Sequence, residues 1–203
     1  MCAVILAAGE STRMGRDKAL LPWPPISAGT FASGGTFLSA AIASLAPFAE
    51  SVIVVVGKNE PNLAPIIYAD GASLVRNPAP ERGQFSSLQV GMQEVLNHGR
   101  DAAMIMLVDR PPVSSEAIEV LAQAFAPAVT AGKWAVVPEF GGQHGHPMLV
   151  SREMIGAFLK APVTSSAREI RHEHEDRIQY VTVDDPRTCT NVDTPEDYAS
   201  LTS

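Results

Sequence analysis

Three short runs of apolar residues constrain what this chain can fold into more than any other feature. They occupy residues 3–8 (AVILAA), 51–56 (SVIVVV) and 104–108 (MIMLV). Each run is too short for a core helix and lacks polar alternation, so each predicts a strand buried on both faces. Helical stretches separate these strands, and this alternation is typical of a mostly parallel sheet with helices on both sides. The sequence therefore predicts an α/β fold with three α/β/α layers.

The rest of the chain continues the same alternation. Further strands are predicted at residues 72–75, 133–138, 148–150 and 178–183. Helices are predicted at residues 36–45, 87–96, 115–125 and 152–159. Thr36 is the expected N-cap of the first helix, Ser166 begins a capping box, and Thr194 with Pro195 begins a last helix. Residues 23–35 are rich in Pro, Gly and Ser without periodicity, which predicts an extended exposed loop.

Length and charge limit the class of protein. With 203 residues, the chain is most simply one domain over residues 1–203. Its net charge of −7 argues against a general binder of nucleic acid or of anionic membranes, because both attract basic surfaces. Cys2 and Cys189 lack metal-ligand spacing, and two reduced thiols are the simpler interpretation, with a single bridge left open. No signal sequence or membrane span is evident, so a cytoplasmic location is expected.

The loop after the first strand carries glycines and cations in a pattern suited to polyphosphate. Gly9 and Gly15 allow backbone N–H groups to turn toward an anion, and Arg13 and Lys18 supply positive charge. The spacing excludes a Walker A loop, which needs Lys directly after its second glycine, and the dinucleotide fingerprint is absent. An ordinary strand-to-helix loop with surface cations is the alternative for this pattern on its own.

Two aspartates stand where a parallel sheet places ligand-binding side chains. Asp109 follows the strand at residues 104–108, and the carboxyl ends of parallel strands open onto one crevice. A carboxylate there suits Mg²⁺ beside a nucleotide phosphate, but a turn aspartate before proline fits as well. Asp193 precedes the cap of the last helix, so it is either part of that cap or a second metal ligand.

At this point a family resemblance becomes specific. The pattern Leu6-Ala-Ala-Gly-x-Ser-x-Arg-Met-Gly-x-x-Lys18 resembles the signature loop of the MobA-like NTP transferases, and within them the MocA-type molybdenum cofactor cytidylyltransferases. The resemblance implies a Rossmann-like nucleotidyltransferase fold of the GT-A type. It also implies that Lys18, Arg13 and Asp109 carry catalysis, and that Asp109 with Asp193 holds Mg²⁺.

The same resemblance assigns the two substrates to named residues. Ala7-Ala8-Gly9, and Arg82-Gly83-Gln84 with Ser86-Ser87, look like the cytidine-type versions of their motifs, which favours CTP over GTP. The residues implied in nucleotide binding are Leu6, Ala7, Ala8, Gly9, Ser11, Gly15, Lys18, Asn77, Gly83, Gln84 and Ser87. From the residues alone, Ser86 and Ser87 would simply be N-capping serines.

The second substrate is implied to lie near Arg110, His146 and Pro147. Gly145-His146-Pro147 resembles a motif of the MocA-like branch, whereas Arg110 is a departure, because relatives usually carry Gln there. An Arg beside a metal carboxylate either repels Mg²⁺ or reaches toward an anionic substrate. A Zn²⁺ pair at His144 and His146 lacks a third ligand at a suggestive spacing. His172 and His174, in a charged helical stretch, are expected to be solvated.

The function implied by the resemblance is transfer of CMP from CTP to molybdopterin or molybdenum cofactor, with release of pyrophosphate. The recipient of the product would be a molybdoenzyme of the xanthine dehydrogenase type. Two alternatives stay open: a transferase of the same fold that acts on a sugar or polyol phosphate, and a carrier that binds the cofactor without catalysis.

Overall fold

The computed structural model describes residues 1–9, 11–25 and 34–201, and a mostly parallel sheet forms its centre. The strands are β1 (Cys2–Leu6), β2 (Pro22–Trp23), β3 (Gly35–Thr36), β4 (Ser51–Val56), β5 (Ser73–Arg76), β6 (Ala102–Leu107), β7 (Ala135–Phe140), β8 (Gln143–His144), β9 (Met148–Ser151) and β10 (Ile178–Thr182). Their order in the sheet is β10-β7-β9-β6-β1-β4-β5, with β8 paired to β7. Along this path only β9 runs antiparallel to its neighbours, β6 and β7.

Helices cover both faces of this sheet, which confirms the predicted three layers. The helices are α1 (Phe37–Leu45), α2 (Glu60–Ala69), α3 (Gln84–Asn97), α4 (Ser115–Thr130), α5 (Arg152–Lys160), α6 (Ala167–Glu173) and α7 (Pro195–Ser200). Along β1, Ala3 and Ile5 belong to the core under α1, α2 and α4, while Val4 and Leu6 belong to the core under α3 and α5. A strand needs apolar side chains on both faces to do this, and the run at residues 3–8 supplies them.

The predicted helix starts are confirmed by their hydrogen bonds. Thr36, Ser166 and Thr194 each accept a hydrogen bond from the backbone N–H three residues later, and each is part of a reciprocal capping box. These boxes satisfy donors that a helix N-terminus otherwise leaves without partners. The local signal was sufficient in these cases because a cap depends on only four consecutive residues.

Three details differ from the sequence prediction. The first strand ends at Leu6 and not at residue 8, because Ala7 and Ala8 already turn into the loop. Helix α2 was not predicted, since Pro61 and Pro65 weaken its helical pattern; it forms because Leu63 and Ile67, one turn apart, are buried. Within the predicted loop at residues 23–35, the two ends pair as β2 and β3, and residues 26–33 lie outside the described residues.

The sheet order fixes where a ligand can bind. Strand β1 continues to β4 on one side, and β6 lies on its other side, so the order switches between β1 and β6. Ligands of open α/β sheets occupy the crevice beyond the carboxyl ends of the strands at such a switch.

Cys2 and Cys189 are both free thiols. Over the described part of the chain, no helix is both long and apolar enough to cross a membrane.

Candidate active site

A cavity of about 290 Å³ lies at this switch point, beyond the ends of β1 and β6. Its wall combines the loop after β1, the start of α3, the end of β6 and the segment before α7. The lining residues are Leu6, Ala8, Gly9, Ser11, Arg13, Lys18, Pro80, Gly83, Gln84, Ser87, Val108, Asp109 and Asp193. Most of the residues that the sequence implied for nucleotide, catalysis and metal therefore meet in one place.

Local hydrogen bonds hold the loop after β1 in its shape. Ser11 has a positive φ of 49°, which is uncommon for a residue other than glycine, and its Oγ accepts a hydrogen bond from the Lys18 backbone N–H at 3.1 Å. Asn59 fixes the loop from outside by donating from Nδ2 to the Ala7 carbonyl and to Asp17 Oδ2, each at 2.8 Å. The loop is thus preorganised around Lys18 before any ligand binds.

Lys18 is the centre of the charged cluster in this cavity. Its Nζ donates a hydrogen bond to Asp193 Oδ1 at 2.7 Å and lies 3.8 Å from Asp109 Oδ2. Arg13 reaches the same Asp193 oxygen at 3.0 Å from a largely exposed position. Lys18 itself is buried: it begins a short helical turn after the loop, and it is only 7% exposed.

The two aspartates have opposite pKa shifts. The hydrogen bond from Lys18 holds the pKa of Asp193 below its usual range. Burial raises the pKa of Asp109, against the opposing charges of Lys18 and Arg110. Asp109 is therefore the carboxylate that gains more from an additional cation, because its charge is poorly solvated.

The donor set fits Mg²⁺ bound together with a nucleotide. Asp109 Oδ1 is buried and has no hydrogen-bond partner, which leaves a lone pair for a cation. Among the described residues there is no cluster of three or more potential metal ligands. Mg²⁺ commonly uses one or two carboxylates and completes its shell with water and substrate phosphates, so Asp109 and Asp193 match that mode.

The wall opposite the cluster is built from the segment before α3. Buried Asn77 donates from Nδ2 to Ser86 Oγ and to Ser87 Oγ, each at 2.9 Å, and fixes both hydroxyls. Ser87 lines the cavity, whereas Asn77 does not and acts through these hydroxyls. Ala7 and Gly15 were also implied in nucleotide binding; Ala7 is buried beside β4, Gly15 is exposed, and neither lines the cavity.

A second cavity of about 380 Å³ adjoins the first and shares Leu6, Gly83 and Gln84 with it. His146 lines this second cavity, and its Nδ1 is buried without a hydrogen-bond partner. Burial, together with the charges of Arg110 and Arg171, lowers the pKa of His146 to about 3, so the ring is neutral. Pro147 is buried and does not line either cavity.

The Thr188 carbonyl oxygen connects Arg110 to the backbone of His146, although neither Thr188 nor Arg110 lines either cavity. It accepts hydrogen bonds from Arg110 Nη1 at 2.8 Å and from the His146 backbone N–H at 2.9 Å. A Cβ on Gly145 would approach this oxygen to 2.1 Å, so the position requires glycine. Nothing in the sequence marked Thr188, since its role is a backbone contact that depends on tertiary structure.

His144, His172 and His174, the other histidines considered from the sequence, lie outside both cavities. His144 stacks on Tyr180 with ring centroids 3.8 Å apart, and its Nε2 lies 3.4 Å from Glu139. His172 is exposed as expected, whereas His174 packs against Trp134 with centroids 4.7 Å apart and is only partly solvated. Among the described residues, none of the three joins His146 in a metal cluster.

The fold and the site together define an α/β protein with a cationic loop and a carboxylate pair at the switch point of its sheet. Open α/β sheets bind their ligands at this place, and a lysine beside two carboxylates has the chemistry to contact phosphates and a divalent cation. The chain belongs to the family described as the MobA-like NTP transferase domain, which matches residues 3–178.

Individual relatives agree with this assignment. A probable molybdenum cofactor guanylyltransferase from Rhodopirellula baltica is 27% identical, over 97% of this chain and 89% of the relative. The molybdenum cofactor cytidylyltransferase of Escherichia coli is 25% identical, over 96% and 92%. A solved nucleotidyl transferase from Methanothermobacter shares the fold, with a TM-score of 0.77 at 19% identity over 98% and 94%. The chain is a nucleotidyltransferase.

Proposed function

We propose that this nucleotidyltransferase uses Mg²⁺ to transfer CMP from CTP to the terminal phosphate of molybdopterin or molybdenum cofactor. The observation that carries the proposal is the junction of Lys18, Asp109 and Asp193 inside a cavity of the MobA-like family. Relatives over nearly the whole chain are named as cytidylyl- and guanylyltransferases of this cofactor, which supports the acceptor.

The reaction needs no nucleophile from the protein. A phosphate oxygen of the acceptor attacks the α-phosphorus of the nucleotide, a new P–O bond forms, and the bond to the β-phosphate oxygen breaks to release pyrophosphate. Catalysis of such a transfer rests on positioning and on neutralising the charge that develops on the phosphates. Mg²⁺, when bound, would neutralise and orient the phosphate oxygens.

The residues of the cavity can supply the remaining functions. Lys18 and Arg13 are now paired with Asp193, and both can exchange that carboxylate for phosphate oxygens when nucleotide and metal enter. Asp109 and Asp193 would then hold the metal, with the free Oδ1 of Asp109 as one ligand atom. The loop amides around Gly9 would orient the triphosphate.

Two features of the wall support cytosine as the base. Ala8 lines the cavity, so its methyl group narrows the space that a glycine would leave open for a purine. The Ser87 hydroxyl accepts its hydrogen bond from Asn77, which leaves its own proton to donate to an acceptor such as O2 or N3 of cytosine.

Thermal melting with Mg²⁺ and each of CTP, GTP, ATP and UTP tests the nucleotide assignment. A ligand present at a hundred times its dissociation constant stabilises a protein by about 2.7 kcal/mol, which is visible as a shift in Tm. We expect the largest shift with CTP. A larger shift with GTP would agree with nucleotidyl transfer but would contradict CTP as the substrate. No shift with any nucleotide would contradict the proposal.

The cofactor product would be used by a molybdoenzyme, and the xanthine dehydrogenase type is the recipient that a cytosine dinucleotide implies. We expect the reaction to take place in the cytoplasm. Product transfer to such an enzyme in a mixed assay, dependent on this chain, would test the assignment.

A further inference from the structure

Asn59 lies outside both cavities, yet its side chain is bonded to the loop that carries Lys18. It belongs to the connection between β4 and α2, and its amide uses its oxygen and its nitrogen. Oδ1 accepts a hydrogen bond from the Gly57 N–H at 3.0 Å, and Nδ2 donates to the Ala7 carbonyl and to Asp17 Oδ2, each at 2.8 Å. The two donated bonds therefore join this connection to both ends of the loop after β1.

The place of Asn59 in its own helix makes these bonds informative. Asn59 is the N-cap residue of α2, where asparagine is favoured because its side chain can accept a hydrogen bond from the first turn. The Asn59 side chain makes no such bond, whereas Thr36, Ser166 and Thr194 all cap their own helices. The amide thus serves the loop after β1 in place of the helix that it begins.

Asp17 connects Asn59 to the position of Lys18. Its Oδ1 accepts a hydrogen bond from the Ala19 N–H at 3.0 Å and so caps the short helical turn that Lys18 begins. Its Oδ2 accepts the bond from Asn59, so both carboxylate oxygens are used to hold this turn. A shift of Asp17 would therefore move the backbone of Lys18, and with it the ammonium group that bonds to Asp193.

Gly57 brings the same connection close to the wall of the nucleotide cavity. A Cβ on Gly57 would lie 2.9 Å from the Ala8 carbonyl oxygen and 3.2 Å from Pro80 Cβ, and both of these residues line the cavity. A larger residue would push the connection away from this wall, so the close approach depends on glycine. Because Asn59 Oδ1 accepts the bond from the Gly57 N–H, one amide fixes the connection and the loop together.

We propose that Asn59 is a positioning residue for nucleotidyl transfer, which acts through Asp17 on Lys18 and contacts neither substrate nor metal. Its two donated bonds determine where the Lys18 ammonium group lies in the cavity. A misplacement of about 1 Å can reduce a rate about 100-fold, so a side chain outside the cavity can have a large effect. This inference rests on the proposed function, because it assumes that Lys18 neutralises charge on the nucleotide.

The substitution Asn59→Asp tests the donors, because aspartate has the same size but no hydrogen to donate at neutral pH. It sets a carboxylate against the Ala7 carbonyl and against the Asp17 carboxylate, so both donated bonds are lost. Pyrophosphate release measures kcat, and calorimetric titration measures affinity for the nucleotide that gives the largest Tm shift with Mg²⁺. We expect kcat and affinity each to fall by about 10- to 100-fold, the range for one misplaced charge-assisted contact.

Gln89→Glu is the matched control for lost stability. Gln89 lines neither cavity, and its Nε2 donates to the carbonyl oxygens of Phe158 and Ala161, each at 2.9 Å. This substitution also removes two donated bonds, so Tm should fall, but kcat and nucleotide affinity should stay within about threefold of the wild type. Equal kinetic losses in Gln89→Glu and Asn59→Asp would overturn the positioning role, because lost stability alone would explain them.

An exchange of the two side chains tests the link through Asp17. Asp17→Asn alone sets an amide donor against the donor of Asn59, so this variant should lose about tenfold in kcat. In the double variant Asp17→Asn/Asn59→Asp, the amide at position 17 can donate to the carboxylate at position 59 and still accept from the Ala19 N–H. We expect it to be at least about fivefold more active than Asn59→Asp. A double variant no more active than Asn59→Asp would overturn the link.

A double-mutant cycle with Lys18→Met tests whether Asn59 acts through the lysine. Once the ammonium group is absent, Asn59→Asp has no charge left to misplace, so it should lower kcat by less than about threefold in the Lys18→Met background. Losses that multiply would assign Asn59 to the general stability of the loop and would overturn the inference.

The outcomes for Asn59 and for nucleotidyl transfer are separable. A wild type that binds nucleotide but releases no pyrophosphate would contradict transfer, and the same cycle measured on nucleotide affinity would still decide the role of Asn59. Transfer by the wild type together with losses that multiply would overturn the positioning role and leave the proposed function intact. A wild type that neither binds nucleotide nor releases pyrophosphate would contradict both.

Discussion

Replacing Lys18 by Met tests the charged cluster most sharply, because methionine keeps the apolar stem and removes only the ammonium group. The lost hydrogen bond to Asp193 joins two charged groups at 2.7 Å, and such bonds contribute about 1.5–3 kcal/mol. Arg13 still pairs with Asp193 in this variant, but its side chain is largely exposed. This remaining ion pair offsets at most about 1 kcal/mol of the lost stabilisation. We therefore expect a loss of about 2 kcal/mol, which for a domain of this size lowers Tm by about 4–8 °C.

The catalytic effect should be larger than the stability effect. Lys18 is expected to neutralise charge on the transferring phosphates, and removal of one such group typically reduces kcat by about 10²–10³. Mg²⁺ alone, in contrast, should stabilise the variant more than it stabilises the wild type. Without the ammonium group, Asp109 and Asp193 are free to attract a cation, so Mg²⁺ alone should raise the Tm of Lys18→Met more than that of the wild type.

Melting curves at several Mg²⁺ concentrations, with and without CTP, together with steady-state kinetics, measure all three effects. Arg16→Met is the matched control, because Arg16 lies in the same loop, is exposed and does not line the cavity. Unchanged turnover in Lys18→Met would remove Lys18 from the site. An unchanged Tm would refute the ion pair between Lys18 and Asp193. Equal effects in Lys18→Met and Arg16→Met would show that only the total positive charge of the loop matters.

Three further predictions follow from the site. Asp109→Asn should raise the Mg²⁺ concentration for half-maximal activity at least about tenfold, since one anionic ligand is lost; an unaltered titration would make Asp109 a turn residue only. The pKa of His146 is lowered to about 3, so between pH 7 and 5 the unfolded chain binds more protons than the folded one, and the free energy of unfolding should fall by up to about 2 kcal/mol over this range. Denaturant melts of His146→Gln should lack this part of the loss. Identical pH profiles of the two proteins would show that the folded protein does not hold this ring neutral. Gly145→Ala should cost about 1–3 kcal/mol, because its Cβ meets the Thr188 carbonyl, and should raise KM for the acceptor more than KM for CTP, because the change displaces the neighbouring His146; equal changes in both KM values would show that Gly145 does not position the acceptor side of the site.

The fold was accessible from the sequence where local patterns decide structure. The apolar runs of β1, β4 and β6 predicted a parallel sheet, and the capping boxes at Thr36, Ser166 and Thr194 predicted helix starts, because each signal lies within a few residues. Helix α2 was not predicted, because its two prolines are unfavourable in helices and its buried face consists of only Leu63 and Ile67. Tertiary burial outweighed local propensity there.

The site was only partly accessible. Motifs identified Lys18, Asp109 and Asp193, but no spacing could show that Lys18 is buried between two carboxylates contributed by distant parts of the chain. Thr188 had no motif at all. Its role is a backbone contact to Arg110 and to His146, which lie far from it in the sequence, and such long-range placement has no local signature.

The measurement that tests the central claim most directly is product analysis after incubation of the purified chain with Mg²⁺, molybdenum cofactor and CTP, with GTP in parallel. Mass spectrometry of the cofactor and an assay for pyrophosphate report the two products of the same step. We predict the cytosine dinucleotide form of the cofactor and an equal amount of pyrophosphate, dependent on Mg²⁺ and strongly reduced in Lys18→Met. Absence of pyrophosphate with both CTP and GTP, in the presence of intact cofactor, would contradict the account.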